Sequence, residues 1–105
     1  MKADVNRLDR ICRNLADVEM GLMEGTIDFT YGKLMSAMKP GHPCEIMDGI
    51  LSDIYYPAMM GQEPPMEVIE KTSKSLHEFG KAFNIKEIKA PLKELDDYIK
   101  ERKQD

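Results

Sequence analysis

The sequence predicts an all-α fold, a small bundle of four to five amphipathic helices joined by short connections rich in proline and glycine. Apolar residues recur at spacings of three and four, and no segment has the alternating Val, Ile and Thr pattern of strands. The chain has nine methionines and no tryptophan, and the unbranched methionine side chain suits helix interiors. A length of 105 residues is that of one domain. We therefore expect residues 1–105 to form a single helical domain.

The first apolar stripe extends from about Ala3 to Met38 and changes phase after Gly25. Gly21 and Gly25 are four residues apart, so their missing side chains would let another backbone approach or let the helix bend. Two interpretations stay open: one long kinked helix, or two helices that meet near Gly25. The stripe consists of Val5, Leu8, Cys12, Leu15 and Leu22 before Gly25, and of Ile27, Tyr31, Leu34, Met35 and Met38 after it.

The second helix is predicted between two breaks that contain proline. Residues 39–41, Lys-Pro-Gly, stop the first segment because proline cannot continue a helical hydrogen-bond ladder. Pro43 suits a first helical turn, and Pro57 is expected to end the helix. Its apolar stripe consists of Ile46, Met47, Ile50, Leu51 and Ile54.

Two further helices are predicted in the second half of the chain. One begins near Pro64 and Pro65 and ends at Asn84, a residue type that tolerates left-handed geometry. The other begins near Pro91, and residues 85–90 form a connector that packs on the core. The two apolar stripes are Met66, Ile69, Leu76, Phe79 and Phe83, and then Ile85, Ile88, Leu92, Leu95 and Ile99.

The charge pattern excludes some classes of partner. The net charge is −4, and residues 41–70 contain six carboxylates with no lysine or arginine. Such a surface repels nucleic acid and anionic lipid, and no run reaches the ~18 apolar residues of a membrane span. Two cysteines, Cys12 and Cys44, are too few for a disulfide framework. We expect a reduced, cytoplasmic protein that binds neither nucleic acid nor membrane.

The acidic 41–70 segment contains a candidate contact surface. The stretch YYPAMMGQEPP is predicted to form a loop at Tyr55–Met60, and a surface loop with tyrosines and methionines is an exposed apolar patch. The other interpretation is that this loop folds back over one end of the bundle. The predicted apolar anchors are Tyr55, Tyr56, Met59 and Met60, and the carboxylates that would steer a basic partner are Glu45, Asp48 and Asp53.

These features favour a non-catalytic module that binds a protein partner, such as an adaptor, a regulator or an inhibitor. No cofactor is expected. We also expect a homo-oligomer, because the face with Gly21 and Gly25 and the many methionines would be buried better against a second copy.

The alternative is a protein that binds a metal or a small ligand, with hydrolase chemistry as one use of the site. Histidine, cysteine and carboxylate are ligand types for zinc and iron, but the paired Glu-x-x-His spacing of di-iron bundles and Cys-x-x-Cys are missing. A simpler interpretation is that His42 or a neighbour caps the second helix while Glu45 supports the cap. The candidate residues are His42, Cys44, Glu45, Glu19 and His77.

Two of these residues permit more specific expectations. Cys44 lies near a predicted helix N-terminus, which would lower its thiol pKa, and as a nucleophile it would need His77 as base, because side chains at i and i+2 do not face each other. Glu19 interrupts the first apolar stripe. It either turns to the surface or meets a lysine, a histidine or a metal inside.

Overall fold

The computed structural model describes residues 2–31 and 41–104. Within these ranges the chain forms four α-helices and no strand, which confirms the predicted all-α class. No helix of the described ranges is both long and apolar enough to cross a membrane. The helices are α1 (Val5–Glu24), α2 (Pro43–Met59), α3 (Met66–Phe83) and α4 (Lys89–Arg102), with a 3-10 helix (Lys86–Ile88) before α4.

The four helices form an up-down-up-down bundle. Both α2 and α4 pack against α1 and α3, so α2 and α4 lie on opposite sides of the bundle. Contacts between Glu19 and Asp48 and between Asp4 and Tyr98 show that α1 is antiparallel to α2 and to α4. We call the end of the bundle where α1 terminates the Gly25 end, and the opposite end, which contains the turn between α2 and α3, the Glu63 end.

The core lies along the bundle axis and is formed by the predicted apolar stripes. Its largest fully buried side chains are Tyr98 and Phe83. The other core residues come from every helix and from the connector before α4. They include Leu8, Ile11, Cys12, Leu15 and Leu22 of α1, Met47, Leu51 and Ile54 of α2, Ile69, Leu76 and Phe79 of α3, and Ile85, Ile88, Leu92 and Leu95.

The first helix ends at Gly25, so one long kinked helix is wrong. Gly25 adopts φ 79°, the left-handed geometry of a helix C-cap, and its N–H donates to the Gly21 carbonyl. The chain then continues without helix to Tyr31. A Cβ at Gly21 would lie 2.5 Å from Cδ1 of Ile27, whereas a Cβ at Gly25 would meet nothing within 4 Å in the described chain. The close approach at Gly21 is therefore made by the same chain, and residues 32–40, with Leu34, Met35 and Met38, lie outside the described residues.

The expectations that Pro57 ends α2 and that Tyr55–Met60 is a loop are both wrong. Pro57 lies inside α2, which continues to Met59. Pro57 has no N–H to donate to the carbonyl four residues before it, so α2 loses one hydrogen bond of its ladder there. Bonds beyond the ring maintain the turn, because the N–H of Met60 donates to the Tyr56 carbonyl (3.2 Å) and that of Gln62 to the Pro57 carbonyl (2.9 Å).

The predicted boundaries of α3 and α4 agree more closely with the structure. Asn84 ends α3 with φ 55°, the left-handed geometry expected of it. The connector packs on the core through buried Ile85 and Ile88. Helix α4 begins two residues before Pro91. Proline is tolerated there because the N–H groups in the first turn of a helix have no partner inside the helix.

A cluster of polar contacts fastens the Glu63 end. Nε and Nη2 of Arg102 donate to Glu63 at 2.8 and 2.7 Å, and the Tyr98 hydroxyl also donates to that carboxylate. The Asp4 N–H donates to the Tyr98 oxygen at 3.2 Å. Hydrogen bonds from Arg102 lower the pKa of Glu63. This cluster connects the α2–α3 turn to α4 and to the start of α1.

Candidate interaction surface

Exposed residues recur at helical spacing along the outer side of α2. Seven positions fall on one side of the helix, and this side is called the α2 face. It is about 22 Å long, at 1.5 Å per residue. Its members are Glu45, Asp48, Gly49, Asp53, Tyr56, Met59 and Met60.

The apolar part of the α2 face lies at the Glu63 end. Tyr56 is 59% exposed, Met59 51% and Met60 78%. Tyr55 is half-buried and packs against the core, so it contributes mainly to folding. Three of the four predicted anchors are thus exposed, although they lie on a helix and at its end instead of on a loop. The Tyr55–Met60 segment therefore does not fold back over the bundle.

Gly49 lies in the middle of the α2 face. A Cβ there would meet nothing within 4 Å in the described chain. Glycine inside a helix costs about 1 kcal/mol relative to alanine, and no contact in the described chain requires it. The result is a flat position within the acidic part of the face, between Asp48 and Asp53.

Five of the six carboxylates of residues 41–70 fall into two groups, and the sixth, Glu67, lies in the first turn of α3. Glu63 is bound by Arg102, and Glu70 forms an ion pair with Lys103 at 2.8 Å. In residues 2–31 and 41–104, no lysine or arginine pairs with the other group, which lies on the α2 face. This second group is Glu45, Asp48 and Asp53.

Glu19 of α1 lies beside the α2 face and meets Asp48. Its side chain is half-buried and hydrogen-bonded to Asp48. Burial first, and then the charge of Asp48, raise the pKa of Glu19 to about 7. Neither predicted environment describes Glu19 fully, because its partner is a second carboxylate. Near neutral pH the Glu19 carboxyl is therefore protonated for part of the time.

His42 caps α2, as the sequence predicts. Its Nδ1 accepts the backbone N–H of Cys44 at 3.1 Å, and its ring packs edge-on against Phe29 at 5.4 Å between centroids. The cap satisfies one of the N–H groups that have no partner inside the helix.

The two cysteines are free thiols. The expected lowering of the Cys44 pKa is wrong: burial, and next the charges of Glu45 and Glu19, raise the pKa of this thiol. Burial also raises the pKa of Cys12 to about 12. Since the thiolate is the reactive form, neither cysteine is activated.

His77 does not join the candidates around the start of α2. It lies on α3, with Nε2 2.7 Å from Oδ2 of Asp96 on α4. Cys44 has Glu45, Glu19 and Asp48 as its charged neighbours. Across residues 2–31 and 41–104, no group of three or more His, Cys, Asp and Glu side chains has the geometry to hold a metal ion.

Ser73 completes the polar cluster at His77, although no motif in the sequence indicates it. The Ser73 hydroxyl donates to Oδ1 of Asp96, whose other oxygen contacts His77. In a serine hydrolase the histidine lies between serine and carboxylate, whereas here the carboxylate lies in the middle and Ser73 is only 5% exposed. The cluster therefore fastens α3 to α4. It joins residues about twenty positions apart, which no local spacing reveals.

Sequence reasoning also missed two exposed methionines on α1, Met20 (44%) and Met23 (56%). They lie near Gly25, whereas Met59 and Met60 lie at the Glu63 end. The signal that would have identified them is their position off the apolar stripe of α1. They provide a natural control for the α2 face.

The α2 face thus combines apolar side chains with carboxylates that have no basic partner in the described chain, an arrangement suited to binding. Comparison of the chain with protein-family models, with curated proteins and with solved structures gives no match. The functional argument consequently depends on the chemistry of these residues.

Proposed function

We propose that the protein is a small, non-catalytic, cytoplasmic interaction module that binds a protein partner through the α2 face. The observation that carries this proposal is the exposure of Tyr56, Met59 and Met60 at the end of α2. Exposed apolar patches mark interaction sites. Tyrosine is enriched among residues that dominate binding energy, and methionine adapts to varied surfaces.

The charge of the face indicates the chemistry of the partner. Glu45, Asp48 and Asp53 need a basic counterpart, which would increase the association rate and fix the orientation of the complex. Gly49 would let a backbone of the partner approach α2 closely. The partner is therefore a protein with a basic surface around an apolar recess.

Affinity capture from cells that make this protein tests the proposal. Tyr56→Ala with Met60→Ala should lose the partner, because truncating a buried anchor costs about 2 kcal/mol or more in binding. Met20→Ala with Met23→Ala is the matched control, since it also removes two exposed apolar side chains. Purified partner should then show at least a ~30-fold weaker dissociation constant for the first variant alone.

Circular dichroism and melting temperature must stay unchanged in both variants. The proposal fails if no protein is lost specifically with Tyr56→Ala and Met60→Ala. It also fails if His42→Ala or Cys44→Ser abolishes capture without unfolding, because the residues at the start of α2 would then form the site.

Self-association remains a separate proposal. Ile27 occupies the space beside Gly21, so the exposed pair Met20 and Met23 is the better candidate for contact with a second copy. Sedimentation at tens of micromolar should give a mass above the 12.0 kDa of one chain, and Met20→Glu with Met23→Glu should reduce it to one chain. A monomeric wild-type protein would contradict this proposal and leave the α2 face unaffected.

A further inference from the structure

A cleft of about 690 Å³ lies between the second half of α3 and the first half of α4, with the 3-10 helix closing one end. Ile85, Ile88 and Leu92 lie beneath its apolar floor, and each is only 1–2% exposed. The polar contact between His77 and Asp96 lies at the other end.

Lysines surround this floor. Lys81 comes from α3, Lys86 from the 3-10 helix, and Lys89 and Lys93 from α4. Lys93 pairs with Asp97 at 3.0 Å. In the described ranges, the other three have no carboxylate within ion-pair distance. We call this region the lysine cleft.

Carboxylates are fewer around the cleft than lysines. Among the residues that the structure describes, Glu78 and Asp96 are the carboxylates that line it, and Asp96 is already bound by His77 and Ser73. The apolar stems of the lysines extend the walls above the floor, while their ammonium groups stay at the rim. The cleft therefore attracts an anion at its rim and an apolar group at its floor.

The cleft is preformed by close backbone packing. Ile88 can approach α3 closely because Gly80 has no side chain. A Cβ at Gly80 would lie 2.8 Å from Cγ2 of Ile88. The Ile85 N–H donates to the Gly80 carbonyl at 2.9 Å. A preformed apolar site with a few polar groups is typical of small-ligand binding.

The size of the cleft favours a small molecule over a protein. Its part of α3, from His77 to Asn84, is about 11 Å long at 1.5 Å per residue. Stable protein interfaces bury about 800 Å² on each partner, which exceeds such a short groove. A volume near 690 Å³ instead lies within the range of small-ligand pockets.

We propose that the lysine cleft binds an amphiphilic anion, with its apolar part along the lysine stems above Ile85, Ile88 and Leu92 and its acidic group between Lys81, Lys86 and Lys89. This site is independent of the α2 face. A carboxylate on a short alkyl chain is the simplest molecule of this class.

Titration with sodium octanoate, followed by amide NMR shifts, tests the proposal in the full-length protein. Shifts should cluster at the cleft and give a dissociation constant of about 1 mM or lower, as expected for a ligand of this size. Octanol and octyltrimethylammonium share the eight-carbon chain but lack the negative charge. Octanol should bind at least tenfold more weakly, and the cation should produce no shifts at the cleft.

Three pairs of substitutions, each removing two positive charges, compare lysines of the cleft with lysines outside it. Lys86→Gln with Lys89→Gln should weaken octanoate binding at least tenfold, and so should Lys81→Gln with Lys89→Gln, a second cleft pair that shares Lys89 with the first. Lys71→Gln with Lys74→Gln, exposed positions outside the cleft, should change it less than twofold.

Several outcomes would overturn the proposal. Equal binding of octanol, unchanged affinity in both cleft pairs, or shifts that map to Tyr56 and Met60 would each do so. Binding to anionic phospholipid vesicles without binding of free octanoate would show a membrane surface as the ligand and would also contradict it.

Discussion

The α2 face and the lysine cleft lie on different sides of one small bundle and carry opposite charge, and only the α2 face projects apolar side chains into solvent. The α2 face is a convex helix side with its anchors projecting into solvent. The lysine cleft is concave, with its apolar residues at the floor and its charges at the rim. A convex patch can be covered only by another large surface, whereas a cleft encloses a small molecule. The different shapes of the two sites, more than their composition, therefore favour a protein partner at the α2 face and a small ligand in the lysine cleft.

Of the substitutions that test how the two sites differ, Glu63→Ala is expected to change the free energy of unfolding most. This change removes hydrogen bonds to Arg102 and Tyr98 that fix the turn next to Met60, so it should lower the free energy of unfolding by about 3 kcal/mol at pH 7. Chemical denaturation measures it. Octanoate shifts at the lysine cleft, at the other end of α3, should persist in the folded fraction.

The effect of Glu63→Ala should depend on pH. The pKa of Glu63 is lowered in the folded state, so its stabilisation is complete above the ordinary value of 4.5 and disappears as the pH falls through the folded pKa. The difference between wild type and variant should therefore shrink in acid. A constant difference from pH 7 down to pH 2 would show that the charge of Glu63 is irrelevant.

Two Gly→Ala substitutions should give the next largest changes in the free energy of unfolding, and these changes should have opposite signs. Gly80→Ala should destabilise the protein by about 2 kcal/mol and distort the lysine cleft, because the new Cβ would lie 2.8 Å from Ile88. Gly49→Ala meets no neighbour and should stabilise α2 by about 1 kcal/mol. If the α2 face is an interface, Gly49→Ala should nevertheless weaken partner binding. Stabilisation with unchanged binding would remove Gly49 from the interface.

The smallest effect is expected from Glu19→Gln, which changes the charge beside the α2 face. The pKa of Glu19 is raised from 4.5 to about 7, so ionisation costs stability as the pH rises from 4.5 to 7. At pH 8 the variant should be more stable by roughly 1 kcal/mol, once solvent screening of this half-exposed pair is allowed for. At pH 4 the two proteins should melt alike. A stabilisation equal at both pH values would contradict the Glu19–Asp48 interaction.

Local features of the candidate sites were predictable to different degrees. The exposure of Tyr56, Met59 and Met60 follows from their position off the apolar stripe, and the His42 cap follows from Pro43 next to it. Pro57 was misleading because it removes one hydrogen bond without ending the helix, since the N–H groups of Met60 and Gln62 maintain the turn beyond it. The Cys44 pKa was misjudged because burial raises it most, followed by the charges of Glu45 and of Glu19 on another helix, and local spacing shows neither the burial nor Glu19.

The sequence by itself determined that this chain is helical, where its core stripes lie, and that residues 41–70 are acidic. These properties depend on neighbours within one turn, so periodicity and capping residues are sufficient to specify them. Only the tertiary structure decided that Glu63 is neutralised by Arg102, that Glu19 meets Asp48, and that lysines from three elements surround one cleft. Each of these depends on the antiparallel packing of helices, which brings together charges from distant parts of the chain.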